Sequence, residues 1–500
     1  MSFGPPPSMY TQSALSAEER RRRRRRNKLL GLVASVLVAA LAVVALVVVN
    51  GNRTPGKPGG KPSAAGQGRL DIRETVEKRP ANTTGVMAFR FSSDDLTPGE
   101  AVEMPGMWAT DKILAKGIRS TLAGFRIGTD ASPGEEVWRL RLSGPICGYT
   151  RHVTGDHRTA VLSRESRDED APCNRVTFVD LDDGQKIWEN VFPLNSDDVR
   201  RPSVTLTRAT VAVTWGRGSE AYDMDEGRRL WRTKATGRCW DAGAAGGRAL
   251  LVRVQCLHHK QSPNPWETTT YRVRKVDPRT GRVLWTYPVA AGVRDVRVPS
   301  ADPAVLAVSA GENGFTELLS LDGQGRRRAT ISLRNTFYVG ECNDEYYLVL
   351  DDCQTISVGN GQVFLRSEEV KGSGLYPSNW IIGFDLATGH TTEKFESGPN
   401  ALLYPLRMSG DQLLGLRMSE DRISPSALVV LDPRTGAETP YFYFGVPLDG
   451  ELLTHLKHND VVVQDGRLFF GTRRAERPAD GKEKSWEWLV LGMESGARRK

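Results

Sequence analysis

KVDPRTGRVLW, residues Lys275 to Trp285, spaces an aspartate, a glycine and a tryptophan four residues apart. Alone, the stretch reads as a site: a carboxylate, a permissive backbone and a large aromatic group close together. Along the chain, however, it recurs. DASPGEEVW (Asp130, Gly134, Trp138), DLDDGQKIW (Asp180, Gly184, Trp188) and DMDEGRRLW (Asp223, Gly227, Trp231) share D-x3-G-x3-W with DPRTGRVLW (Asp277, Gly281, Trp285). Weaker copies keep the turn and lose the tryptophan: DGQGRRR from Asp322, DLATGHTTE from Asp385 and DPRTGAETP from Asp432. LVLGMESGARRK is read as an eighth, truncated copy with Gly492 in the aspartate's place. Successive aspartates lie 50, 43, 54, 45, 63 and 47 residues apart. A period near fifty, built of short alternating strands and turns, indicates propeller blades.

Each part of the unit has a physical role. Asp caps the turn by accepting backbone N–H bonds, and Gly supplies the positive φ that a side chain resists. The tryptophan returns on the next strand as a rigid apolar peg whose indole N–H seeks a carbonyl. These twelve residues are therefore assigned to blade docking. A catalytic site is needed once, whereas a blade corner is needed in every repeat.

The unit resembles the tryptophan-docking motif of the PQQ-binding-like, or quinoprotein alcohol dehydrogenase-like, β-propellers, from about Val76 to the C-terminus. The resemblance implies an all-β propeller of four-stranded antiparallel blades, eight of them, with seven as the alternative. The strand near GVMAFRF (Gly85 to Phe91) would then close the ring. In the quinoprotein dehydrogenases PQQ lies beneath a disulfide between adjacent cysteines, above a tryptophan floor, with calcium held by Glu and Asn near a catalytic Asp. This chain has no Cys-Cys pair. Trp108, Trp215, Trp240 and Trp380 could line a channel, but a lone strand tryptophan is ordinarily core. No cofactor is expected, PQQ being the alternative.

The net charge of +8 is carried by the N-terminal region. Residues 1–28 hold Arg20 to Arg26 and Lys28 against Glu18 and Glu19, and residues 50–70 add four basic groups and no acid, leaving −2 for the rest. Nucleic-acid binding by the folded part is not expected. Leu29 to Val49 is a run of 21 residues without a charge, enough at ~1.5 Å per residue to cross a ~30 Å hydrocarbon core. It is longer than the roughly 7–15-residue apolar region of a cleaved signal peptide. The preceding arginines place the N-terminus in the cytoplasm by the positive-inside rule. The expected organisation is a disordered basic tail (1–28), a transmembrane signal anchor (29–49), a Gly/Pro-rich linker (50–75) and an extracytoplasmic propeller (76–500). Cys147, Cys173, Cys239, Cys256, Cys342 and Cys353 all follow the anchor. An even count on an oxidising side suggests disulfides, with nearest-neighbour pairing across hairpins the simplest of fifteen connectivities.

Other chemistry is thin. The acids Asp180, Asp182, Asp183, Asp223 and Asp225 fail the calcium-loop pattern, because Val191 stands where a bidentate ligand belongs. His455 and His458 lack a third ligand at a defined spacing, so no metal site is assigned. The paired acids of SRDEDAP (Ser166 to Pro172) and CNDEYYLVLDDC (Cys342 to Cys353) read as strand-end loops. No nucleophile elbow, phosphate loop or dinucleotide fingerprint occurs. The expectation is a non-enzymatic, single-pass plasma-membrane protein of a GC-rich bacterium, an actinobacterium. Its propeller would bind an envelope protein or a small-molecule ligand. The alternatives are a PQQ-dependent dehydrogenase and a ligand sensor working through a separate cytoplasmic partner.

Overall fold

In a computed structural model the chain divides into Met1–Gly66 and Gln67–Lys500. The described residues are 68–92, 99, 101–127, 134–168, 170–194, 202–258, 269–311, 314–334, 337–342, 349–370, 376–421, 423–476 and 488–496. The expected membrane helix, Leu29 to Val49, and Asp130 lie outside them. No helix among the described residues is long and apolar enough to cross a membrane.

Eight antiparallel blades follow one another along the chain. Blade one runs from Met107–Ala109 to Glu136–Arg141, blade two from Ile146–Tyr149 to Lys186–Val191, and blade three from Ser203–Thr207 to Arg229–Arg232. Blades four, five, six and seven begin at Cys239–Ala245, Asp295–Ala301, Tyr338–Val339 and Ala401–Ser409. Blade eight joins the chain's two ends: Asn459–Gln464, Arg467–Thr472 and Trp488–Ser495 are completed by Gly85–Ser92. The expected closure by the GVMAFRF strand is thus seen. Ring closure by a distant strand gives the fold its long-range lock.

Burial explains the sequence pattern. Inner strands such as Ser203–Thr207 and Thr210–Thr214 are buried throughout, since neighbouring blades cover both faces, and they read as β-branched runs. The outer strand Val283–Pro288 alternates between exposed and half-buried, because it meets solvent on its edge.

The repeated corner joins each blade to the next. The indole N–H of Trp138 donates to the Leu181 carbonyl (3.2 Å), Trp188 to Met224 (2.9 Å) and Trp231 to Pro278 (2.8 Å). Each ring lies over the next blade's turn glycine. A Cβ on Gly184, Gly227 or Gly281 would come within 2.4, 2.7 or 2.8 Å of the indole, at φ values of 71°, 66° and 72°. The turn carboxylates accept backbone N–H groups: Asp180 from Asp182, Asp223 from Asp225 and Glu226, and Asp277 from Arg279 and Thr280.

Three corners depart from the rule. In blade one Arg126 closes the hairpin by backbone hydrogen bonds with Gly134 and Glu135, and the Asp130 assigned to this corner lies outside the described residues. Gly492 is no turn residue. It lies inside Trp488–Ser495, where a Cβ would strike Phe469 at 2.7 Å, and blade eight needs no such turn because its outer strand arrives from the N-terminus. At blade five the turn from Asp322 is one residue short. Trp285 still covers Gly325, where a Cβ would approach within 2.5 Å, yet its buried indole N–H has no acceptor. Trp231→Phe should therefore cost about 1 kcal/mol in urea unfolding through its lost hydrogen bond, while Trp285→Phe should be near neutral.

The six cysteines form three disulfides, Cys147–Cys173, Cys239–Cys256 and Cys342–Cys353. The second joins directly opposed residues of two strands.

Candidate functional site in the central channel

Inner strands border the axis, so a segment that leaves one enters the channel. Blade six does this. Its inner edge is split between Tyr338–Val339, paired with Ser367 and Arg366, and Ile356–Gly359, paired with Leu365 to Gln362. The described residues between the two halves, 340–342 and 349–355, form an excursion from the strand, and Cys342–Cys353 ties its base. That pair brackets a channel loop, not the hairpin expected from spacing.

The excursion descends beside blades four and five. Val349 bridges Ala244 in parallel, the Arg297 guanidinium donates to the Val349 carbonyl (2.7 Å), and the Val298 N–H donates to that of Leu350 (2.8 Å). Asp351 follows on the same segment. The carboxylate accepts from the Gly246 N–H (3.0 Å) and the Thr205 hydroxyl (3.1 Å), and lies 3.2 Å from His152 Nε2. Asp352 pairs with Arg151 (3.1 Å) and Arg473 (3.4 Å). One loop of blade six therefore contacts blades two, three, four, five and eight.

Beside Asp352 the charges are matched. Lys116, fully buried, lies 3.3 Å from Asp460, which also accepts from Arg473 Nε at 2.9 Å. Burial pushes the Lys116 ammonium down in pKa, and Asp460 opposes the shift. Three basic groups, Lys116, Arg151 and Arg473, meet the carboxylates of Asp352 and Asp460, while Asp351 faces His152. A pocket lined by Tyr149, Arg151, Val349, Asp351 and Asp352 has about 290 Å³ of empty space, open solvent included.

For Asp351, burial acts to raise the carboxyl pKa, but hydrogen bonds from His152, Gly246 and Thr205 outweigh it and hold the group below its usual value. A depressed folded pKa stabilises the fold above the unfolded value, about 4, and this contribution is lost as pH falls through the folded value. Asp351→Asn should cost about 1–3 kcal/mol at neutral pH in urea melts, and the gap from the parent should narrow below about pH 4.

One channel mouth is crossed by the segment from Gly68 to Lys78, part of which was expected to be free linker. Ala209 donates its N–H to the Leu70 carbonyl in blade three, and Ile72 bridges Thr154 in blade two. Arg73 reaches the Ala109 carbonyl in blade one (2.7 Å), and Thr75 bonds Gln464 in blade eight (3.1 Å). Glu77 ends the crossing between Arg407 (2.5 Å) and the N–H groups of Asp465 (3.1 Å) and Gly466 (2.6 Å). This strap lies on the face that carries the docking turns.

None of the four tryptophans weighed as channel linings borders the pocket. Trp108, 2 % exposed, donates to the Thr150 carbonyl, Trp215 stacks on Phe192, Trp240 lies in Cys239–Ala245, and Trp380 carries Lys394 over its ring. His455 and His458 are exposed. In SRDEDAP, Asp168 caps its own turn by accepting the Asp170 N–H. Asp182 comes together with Asp111 and His157, their ligand atoms within 4.8 Å of one another. Asp351 and Asp352 of CNDEYYLVLDDC, read as part of a strand-end loop, instead enter the channel. The signal that could have found them is the aspartate interval of 63, against 45 and 47 on either side.

The family model described as outer membrane protein assembly factor BamB, of PQQ type, matches residues 172–439, more than half of the chain. The chain belongs to this family. Among solved structures, BamB from Moraxella catarrhalis is 12 % identical, with 80 % of this chain and 99 % of that one covered and a TM-score of 0.42. The quinohemoprotein alcohol dehydrogenase ADHIIG from Pseudomonas putida HK5 is 12 % identical, with 86 % and 80 % covered and a TM-score of 0.47. The corresponding enzyme from Comamonas testosteroni is 14 % identical, with 86 % and 82 % covered and a TM-score of 0.43. Scores at this level carry no functional argument. A search of curated proteins finds no match. BamB-type membership agrees with the propeller and its PQQ-like repeats.

Proposed function

We propose that this BamB-family chain is a non-catalytic protein-binding scaffold of the cell envelope, anchored through Leu29 to Val49 with its propeller outside the cytoplasm. The observation that carries this reading is the filled channel. Leu350 is fully buried there, Asp351 and Asp352 are satisfied by the chain's own donors, and the strap crosses one mouth. The described residues do not fit PQQ. A flat quinone would have to displace Leu350 to Asp352, and the bonded cysteines are 26, 17 and 11 residues apart, never adjacent. Three disulfides also suit an oxidising compartment. Binding would then fall to the blade loops outside the channel.

Crosslinking in intact cells, followed by identification of what copurifies with the full chain, tests the proposal. Specific capture of an envelope protein is expected, together with no response to PQQ and calcium. Stoichiometric PQQ binding with dye-linked alcohol oxidation would overturn it.

A further inference from the structure

The outer strand of every blade has a far edge with no partner inside its own blade. Such an edge is a template for a further strand, and charged side chains along it are the usual guard. Seven of the eight outer strands carry a charge, from Glu136 in blade one to Glu438 in blade seven and Arg90 in blade eight. The blade-four strand Val283–Pro288, VLWTYP, carries none. Its first two side chains, Val283 and Leu284, are 44 % and 45 % exposed. No described residue pairs with its far edge.

Register places cations beside this edge. On the neighbouring strand Thr269–Val276, Arg272 lies opposite Pro288 and Arg274 opposite Thr286. The Val289 N–H donates to the Tyr271 carbonyl (3.0 Å). By the alternation of an antiparallel ladder, Thr286 and Arg274 are then a non-hydrogen-bonded pair, and the Thr286 N–H and carbonyl point away from the sheet. Thr286 and Pro288 are short and exposed, so an arginine side chain can reach across them to the edge.

Charge around the edge is one-sided. From Thr269 to Arg294 the chain holds Arg272, Arg274, Lys275, Arg279, Arg282 and Arg294 against Asp277 alone. Lys260 and Glu267, in the preceding segment, cancel in charge and lie outside the described residues. Lys275 is on the other face, opposite Trp285. The acids of this blade and its neighbours are already engaged: Asp277 caps its own turn, Asp223 holds Arg279 (2.6 Å), and Asp241 accepts from Ser219 (2.9 Å) and Thr233 (2.6 Å). Glu220 meets Arg229 and Arg232, Asp295 meets Arg253 and Arg297, and Asp322 meets Arg326. Among the described residues Arg272 and Arg274 have no acidic partner.

We propose that the free edge of Val283–Pro288 takes an acidic, extended segment of a partner protein as a fifth strand of blade four. The inference rests on the scaffold reading and adds a strand edge to its binding surfaces. Neighbouring strands lie about 4.8 Å apart, so an added strand would run about 10 Å from Arg272 and Arg274, a span that an arginine and a glutamate cover together. Backbone bonds at Thr286 supply pairing open to any sequence, and carboxylates on alternate residues, facing the two arginines, select the partner. A second copy adding its own Val283–Pro288 would bring four arginines together, which repels. Phosphate headgroups match the guanidinium charge but cannot continue the backbone ladder.

The test is fluorescence anisotropy of the purified full-length chain with a labelled peptide of glutamates alternating with valines. Saturable, salt-weakened binding is expected. Arg272→Glu with Arg274→Glu should raise Kd at least about tenfold, and Thr286→Pro, which removes the outward N–H, should weaken binding independently, with unchanged melting temperatures showing that each variant folds. A lysine–valine peptide, and the glutamate–valine peptide N-methylated at alternate residues, should bind at least about tenfold more weakly to the parent chain. Equal binding of either control peptide, equal binding by the arginine variant, or no binding of the glutamate–valine peptide would overturn the proposal. So would its displacement by phosphatidylglycerol but not phosphatidylcholine vesicles, or a dimer dissociated by Thr286→Pro. If the peptide fails while crosslinking still captures an envelope partner, the edge proposal falls and the scaffold reading stands. PQQ-dependent oxidation would sink the scaffold reading whatever the peptide does.

Discussion

Replacing the half-buried Trp188 with alanine is expected to destabilise the propeller by about 3 kcal/mol, the lower end of the range for deleting a large aromatic group. Trp188 stacks on Phe178 of its own blade at 5.5 Å between ring centroids and meets Tyr222 of blade three at 5.8 Å. Its indole N–H holds the Met224 carbonyl, and its ring roofs Gly227. Truncation removes stacking, a hydrogen bond and the contact between blades together. Gly227→Ala should destabilise from the other side of the same joint, because φ is 66° and the new Cβ would lie 2.7 Å from the indole. Urea unfolding followed by tryptophan fluorescence and circular dichroism measures both. A loss below about 1 kcal/mol for Trp188→Ala would show that the corner does not lock the blades.

Arg407→Ala is the second large effect, expected at about 3–5 kcal/mol, because it leaves a buried carboxylate without its cation. The Glu77 side chain is 1 % exposed, and the Arg407 guanidinium bridges it to the Thr75 carbonyl (2.8 Å) and the Val463 carbonyl (3.0 Å). Loss of the arginine should loosen the strap before the blades unfold. Limited proteolysis should then cut between Gly68 and Lys78 in the variant and spare the parent chain. Pairing Arg407→Met with Glu77→Leu should recover much of the stability, since no charge is left buried. Cutting at equal rates in parent and Arg407→Ala chains would show that this ion pair does not fasten the strap.

The blade corners were legible because their chemistry is local. An aspartate that caps its own turn, a glycine at positive φ and a tryptophan on the returning strand are set by neighbours within ten residues, so Asp180, Asp223 and Asp277 declare themselves in sequence. Trp285 shows the limit of that legibility. Its motif is complete, but whether its N–H finds an acceptor depends on the length of the next blade's turn, read from Asp322. Gly492 was misread for a related reason: the last blade takes its outer strand from the other end of the chain, so no local turn is required there.

The sequence by itself determined the repeat, the all-β class, the closing strand and the pool of cysteines, because strand alternation and turn chemistry are short-range properties. Tertiary structure alone decided what fills the middle. Asp351 meets His152, Thr205 and Gly246 at sequence separations of 199, 146 and 105. No local pattern encodes such a meeting; it exists only once ring closure has brought the inner strands around one axis. The long interval between Asp322 and Asp385 announces extra chain, but its direction follows from Tyr338–Val339 and Ile356–Gly359 being inner-strand segments, whose only exit is into the channel.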